Sequence, residues 1–131
     1  MILVDTSVWI DFFGKTNPDH VKKVTSLIEL NENICTNGLI LTEVLQGIRN
    51  DQQYTKVKNY FDSLIFLPMG YDIFIHSSAI YRKLREKGIT IRKPIDCMIA
   101  ATAIEHGVVL LHNDRDFNPI SKHCGLNAIK K

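Results

Sequence analysis

Met1-Ile2-Leu3-Val4-Asp5-Thr6-Ser7 sets four apolar residues directly against an acid and two hydroxyls. An apolar run this short, followed at once by turn and capping residues, reads as a buried parallel strand rather than a helix. Val108-Val109-Leu110-Leu111 repeats the pattern as the clearest second strand, with Asp114 shortly after it. In an open parallel sheet, ligands gather at the carboxyl ends of the strands, so both acids fall on one rim.

Working outward, Val8, Trp9 and Phe12 suggest a short helix stopped near Gly14. Asn17-Pro18 marks the next helix, with Asn17 as N-cap and Pro18 at the first helical position. Val21, Val24, Leu27 and Ile28 carry its helical spacing toward Asn31. Thr36-Asn37-Gly38 is a further helix entrance, and residues 39–48 supply an apolar face interrupted by Glu43. Asp51 caps a helix bearing Val57, Tyr60 and Phe61, and Leu64-Ile65-Phe66-Leu67 before Pro68 reads as a buried strand. Residues 71–87 form a helix stopped by Gly88, and Pro94 opens another that runs to Gly107. A short helix over 114–124 and a last strand over 126–129 complete the pattern. Strands separated by helical stretches predict a parallel sheet covered on both faces, and no repeat or linker divides residues 1–131, so one α/β domain is expected.

The 16 Lys and Arg nearly balance the 14 Asp and Glu, which alone names no partner. If Asp5, Glu43, Asp96, Asp114 and Asp116 turn inward around a metal, nine acids remain outside against those 16 bases. The excess of seven suits a polyanion. Cys35, Cys97 and Cys124 are odd in number and lack C-x-x-C spacing, which fits small hydrophobes in a reducing cytosol rather than a disulfide or zinc framework. No apolar run approaches the roughly 20 residues of a membrane span, so a cytoplasmic protein is expected.

Asp96 lies in the first turn after Pro94, and Glu43 is flanked by Leu41, Val44 and Leu45. Each acid has a structural alternative: Asp5 and Asp114 as helix caps, Asp96 as a charge favoured by a helix N-terminus, Glu43 as a half-exposed side chain. Together they weigh differently. Four carboxylates at about 5 Å repel by about 3 kcal/mol per pair at an effective dielectric of about 20. Summed over all pairs, that rivals a domain's net stability of about 5–15 kcal/mol. Such a cluster needs protons or a divalent cation, and hard oxygen ligands without histidine favour Mg²⁺ or Mn²⁺ over zinc. One ion or two would activate water and neutralise a phosphodiester.

Four stretches carry a resemblance: Val4-Asp5-Thr6-Ser7, Leu41-Thr42-Glu43-Val44-Leu45-Gln46-Gly47, Ile95-Asp96-Cys97-Met98-Ile99-Ala100-Ala101-Thr102-Ala103, and Asn113-Asp114-Arg115-Asp116-Phe117. In order and spacing, over essentially the whole chain, they resemble PIN-domain ribonucleases of the VapC type, the toxins of toxin–antitoxin pairs. The resemblance implies a three-layer α/β/α fold with a mainly parallel sheet and Mg²⁺- or Mn²⁺-dependent endonucleolytic cleavage of RNA. It also implies a homodimer and a toxin–antitoxin hetero-oligomer, in which a VapB-like antitoxin occupies the active-site groove. Asp5, Glu43, Asp96 and Asp114 match the family's acids, Asp116 matches an additional acid of many members, and Thr6 or Ser7 orients a carboxylate or a water. His112 departs from the Thr or Ser frequent at its position; it contacts phosphate or water at the rim, or is a strand-end histidine bonded to backbone.

Arg92, Lys93 and Arg115 stand beside the acids and are candidates to bring RNA phosphates to the metal, against a solvated surface role. The run from Arg82 to Lys87 suits a helix C-terminus. His20, His76, His106 and His123 lack metal-ligand spacing. The aromatics Trp9, Phe12, Tyr54, Tyr60 and Phe61 are read as core or dimer contacts before base-stacking platforms. A haloacid-dehalogenase-like phosphohydrolase would need D-x-D where Asp5-Thr6-Ser7 stands, and a receiver-like module lacks its acid pair and late lysine. A catalytically silent module binding RNA or an antitoxin is the remaining alternative, against which the intact acid set argues.

Overall fold

The computed structural model describes residues 1–14, 19–30 and 32–130, so the expected helix start at Asn17-Pro18 and the end at Asn31 lie outside the described residues. The elements run β1 (Ile2–Val4), α1 (Thr6–Phe13), α2 (Asp19–Glu29), β2 (Ile34–Thr36), α3 (Gly38–Gln46), α4 (Asp51–Asp62), β3 (Ile65–Phe66), α5 (Tyr71–Glu86), α6 (Pro94–His106) and β4 (Val109–His112). A 3-10 turn (Arg115–Phe117), α7 (Asn118–Cys124) and β5 (Ala128–Lys130) follow.

The five strands form one parallel sheet in the order β3-β2-β1-β4-β5. β1 is central, with Leu3 opposite both Cys35 and Leu110. Leu3, Val4, Cys35, Leu110 and Leu111 are buried, as strands covered on both faces must be. Helices α1 to α4 contact one another, while α5 packs against α6 and α7. The chain reverses direction across the sheet between β1 and β4, which makes their carboxyl ends the switch point where such folds open a crevice.

α6 carries the largest share of the core beneath that crevice. Cys97, Ile99, Ala100, Ala101 and Ala103 are buried around its circumference, and the alanines allow close approach. It begins with Pro94 at a position that needs no N–H donor and ends at Gly107 in the left-handed region (φ 65°, ψ 33°), whose N–H returns to Ala103 O. On the other side Trp9 is fully buried and meets the rings of Phe12, Phe13, Tyr60 and Phe61 at centroid distances of 5.1–5.8 Å. These rings are in the core or packed against it rather than surface platforms, whereas Tyr54 is exposed.

Three local expectations are corrected. β2 was not anticipated, because Ile34-Cys35-Thr36 is too short to display a period. Asn50, not Asp51, caps α4, its side chain accepting Gln53 N–H at 2.9 Å. The helix expected over 114–124 is divided into the 3-10 turn and α7, because Asp114 turns the backbone by capping the first piece and Pro119 cannot donate within a continuous helix. Among the described residues no helix is long and apolar enough to cross a membrane.

Candidate active site

Asp5 leaves β1 and caps α1, its Oδ2 accepting the Ser7 N–H at 3.0 Å and the Ser7 hydroxyl at 2.6 Å. The same hydroxyl accepts the Asn113 N–H at 3.0 Å, and Asp5 N–H donates to Leu111 O at 2.9 Å. The ends of β1 and β4 are thereby locked side by side. Next along α1, the Thr6 hydroxyl donates to Glu43 Oε1 at 2.8 Å and ties α3 to the same rim. Burial pushes the Asp5 carboxyl above its usual range; the Ser7 hydrogen bonds oppose this, and the Glu43 charge adds to it.

Across the crevice, Asp96, Asp114 and Asp116 each offer an oxygen within 4.8 Å of the others, the group of three acids among the described residues that can hold a metal. Asp5 and Glu43 stand outside this trio, although the Asp5 charge is felt at Asp96. The five predicted acids therefore form a trio and an adjoining pair rather than one shell. Asp114 Oδ1 accepts the Asp116 N–H at 2.9 Å, so one carboxylate both caps the turn and faces the site. Asp5 and Asp114 thus each cap the element that follows them.

Asp96 is 3% exposed. Burial pushes its carboxyl up to about 7, helped by the charges of Asp114, Asp5 and Asp116 and opposed by Lys93. At Asp114 burial also pushes upward, but the hydrogen bond from Lys93, the Asp116 N–H, and the charges of Lys93 and His112 outweigh it, leaving the carboxyl below its ordinary value. Two carboxylates 18 residues apart in sequence are thus driven in opposite directions by their surroundings.

The structure places the neighbouring bases on the acids themselves. Lys93 Nζ lies 2.6 Å from Asp114 Oδ2 and 3.7 Å from Asp96 Oδ2. Arg92 reaches both Asp116 oxygens, at 3.1 and 3.2 Å. Arg115 is exposed. His112 is buried against Phe117, ring centroids 4.9 Å apart, and its Nδ1 accepts the Asp114 N–H at 3.2 Å. The ring therefore bonds the backbone of the loop after β4. His76 and His106 bond Glu105 and the Pro68 carbonyl.

From the sequence, Asn37 has only a place at a helix entrance. Its buried side chain caps α3 through Ile40 N–H at 2.9 Å and donates to Thr102 Oγ1 at 3.2 Å, joining the helix that carries Glu43 to the one that carries Asp96. Asparagine before a helical apolar run signals the cap; nothing local signals Thr102.

The donor set fits a divalent cation. Asp96 Oδ2 is buried without a hydrogen-bond partner among the described residues, and the Lys93 ammonium lies 3.7 Å from it. An orphaned anionic oxygen is costly unless a cation completes it. The trio offers hard carboxylate oxygens and no sulfur or imidazole, the preference of Mg²⁺ or Mn²⁺.

A parallel α/β sheet with carboxylates converging at its switch point defines a class of acid-centred α/β domains. Comparison with known proteins narrows it. The family model described as PIN domain matches residues 2–122. Ribonuclease VapC11 of Mycobacterium tuberculosis is 35% identical over 130 residues, covering 98% of this chain and 97% of that protein. Among solved structures, VapBC2 from Rickettsia felis bound to a promoter DNA fragment superposes with a TM-score of 0.79 at 20% identity, covering 100% of this chain and 99% of that one. DNA-bound VapBC from Salmonella typhimurium gives 0.78 at 22% identity, covering 98% and 96%. The chain belongs to the PIN-domain family, alongside the VapC ribonucleases.

Proposed function

We propose that this chain is a Mg²⁺- or Mn²⁺-dependent endoribonuclease, the toxin of a toxin–antitoxin pair. The observation that carries the metal-dependent reading is the buried Asp96 Oδ2, which has no hydrogen-bond partner among the described residues, inside the Asp96-Asp114-Asp116 trio. Relatives named VapC ribonuclease supply the substrate class, and neighbours described as VapBC supply the antitoxin partner.

In this reading Asp96, Asp114 and Asp116 hold the cation, with Asp5 and Glu43 completing the rim. A bound divalent cation lowers the pKa of water and offsets phosphodiester charge. The chain's own groups do the rest. Ser7 holds the Asp5 carboxylate in one orientation, and Thr6 anchors Glu43 at Oε1. The half-buried Glu43 takes a proton from the attacking water. Arg115 meets a flanking phosphate of the RNA, and Arg92 and Lys93 add positive charge at the mouth. Hydrolysis adds water across one P–O bond: the water oxygen ends on phosphorus, and the proton taken up by Glu43 passes through solvent to the leaving oxygen, which departs as a hydroxyl. Residues 1–131 act as a single PIN domain, as a homodimer and with a VapB-like antitoxin. The free thiols of Cys35, Cys97 and Cys124 suit work in the cytoplasm.

The test is to incubate the purified protein with total RNA in chelator, in Mg²⁺ and in Mn²⁺, beside Asp96→Asn. Cleavage by the parent that needs either ion and is lost in the variant is expected. Equal cleavage by both proteins removes this mechanism, and ion-dependent RNA binding without cleavage would favour a silent binding module.

A further inference from the structure

Lys93 immediately precedes α6, and its carbonyl accepts the Asp96 N–H at 2.9 Å. The turn that fixes Asp96 therefore also fixes the root of the lysine. From there the side chain crosses to the β4 loop, where Nζ meets Asp114 Oδ2 at 2.6 Å and lies 3.7 Å from Asp96 Oδ2. One ammonium thus contacts two of the three candidate ligands, one of them through the oxygen that has no hydrogen-bond partner.

We propose that Lys93 is a resident counter-ion that keeps the divalent cation's place on Asp96 and Asp114, so that cation loading proceeds by exchange against its ammonium. This rests on the metal reading above. A divalent cation on Asp114 Oδ2 would meet the ammonium there at a repulsive distance, so loading through that oxygen requires the ammonium to leave. It can leave without disturbing the core, because the Lys93 side chain is 52% exposed while those of Asp96 and Asp114 are 5% and 18% exposed. A compact charge on a flexible stem is suited to such a role; Arg92 Nη2 meets the two Asp116 oxygens at the longer distances of 3.1 and 3.2 Å.

Loading also shifts the charge of the mouth. Without the ion, the three carboxylates and the two bases on them carry a formal charge of −1, and with the neighbouring Asp5 and Glu43 and the exposed Arg115 the mouth carries −2. A divalent ion brings it to zero, with the displaced ammonium still tethered beside it. A polyanion is then repelled less by the loaded site, which favours cation first and RNA second.

Mn²⁺ binding to the full chain, measured by calorimetry and by the spin-resonance signal of free Mn²⁺, tests this with no activity readout. Lys93→Met is expected to bind Mn²⁺ about tenfold more tightly than the parent. Arg115→Gln, which removes an equal charge from the Asp114 loop but leaves the Lys93 contacts, is expected to stay within about twofold. Lys93→Gln is to show the same order as Lys93→Met should the latter fail to fold. In the parent, the Lys93 ε-methylene resonance is expected to shift in step with Mg²⁺ occupancy. Equal affinity of parent and Lys93 variants, an equal gain in Arg115→Gln, or an unmoved resonance overturns the exchange and leaves the metal reading standing. Failure of parent and variants alike to bind Mn²⁺ overturns both.

Discussion

The Ser7 hydroxyl receives the backbone N–H of Asn113 at 3.0 Å across 106 residues of sequence, while donating its own proton to Asp5. One small side chain therefore sets how closely the acids after β1 and β4 approach. Ser7→Ala leaves the Asn113 N–H and Asp5 Oδ2 each short of a partner. A stability loss of about 1–2 kcal/mol in urea melts is expected, with a roughly 10–100-fold drop in RNA cleavage, the range seen when groups that support a metal site from outside are removed. Parental cleavage by Ser7→Ala would show that the clamp is not needed for catalysis.

Asp96 gives the protein a pH-dependent stability in the absence of divalent ions. Its carboxyl titrates near 7 in the folded chain against 3.8 for an ordinary aspartate, chiefly because it is buried. The native state thus prefers the protonated form. That stabilisation is full below pH 3.8 and is lost as pH rises through about 7. Asp96→Asn is expected to exceed the parent at pH 8 by up to about 4 kcal/mol, with the gap closing toward pH 4. Adding Mg²⁺ at pH 8 is expected to raise the parent's melting temperature and leave the variant's nearly unmoved. A variant less stable than the parent at pH 8 without metal would remove the crowded-acid account.

Trp9 fills the centre of its aromatic cluster, and its Nε1 is buried without a hydrogen-bond partner among the described residues. Trp9→Ala is expected to cost about 3–5 kcal/mol through the cavity it opens. Trp9→Phe removes the orphaned donor together with some volume, so thermal melts are expected to show less than half of that loss. Equal losses would mean that the indole N–H is better satisfied than the geometry indicates.

Gly107 closes α6 at φ 65°, and a Cβ there would meet nothing within 4 Å. The cost of Gly107→Ala is therefore conformational, about 1–2 kcal/mol. Chemical denaturation should find it without altered Mn²⁺ affinity. A change in affinity would show that the end of α6 is coupled to Asp96 at its start.

Much of this was legible because it is local. Apolar runs ending in Asp5 or before Asp114 announce strands, and Pro94 and Gly107 bracket α6 with residues that suit only helix ends. What the sequence concealed is either too short or too distant. Ile34-Cys35-Thr36 is a strand because β1 and β3 flank it, not through any period of its own. The Asn37–Thr102 and Ser7–Asn113 bonds join residues whose neighbourhood exists only after folding. The acids were visible as residue types, but their division into a trio and a pair, and the placement of Lys93 and Arg92 upon the trio, depend on the angles between α6 and the β4 loop.

The central position of β1 also governs when the molecule becomes capable of anything. Leu3 pairs with Leu110, so a chain emerging from the ribosome at about 5–20 residues per second holds its innermost strand open on one side for seconds before its partner exists. During that interval Asp5 and Glu43 have been synthesised and Asp114 has not. A protein that cuts RNA is built on a machine made largely of RNA, and this strand order keeps Asp114 and Asp116 from joining Asp5 until β4 and the turn after it have been made.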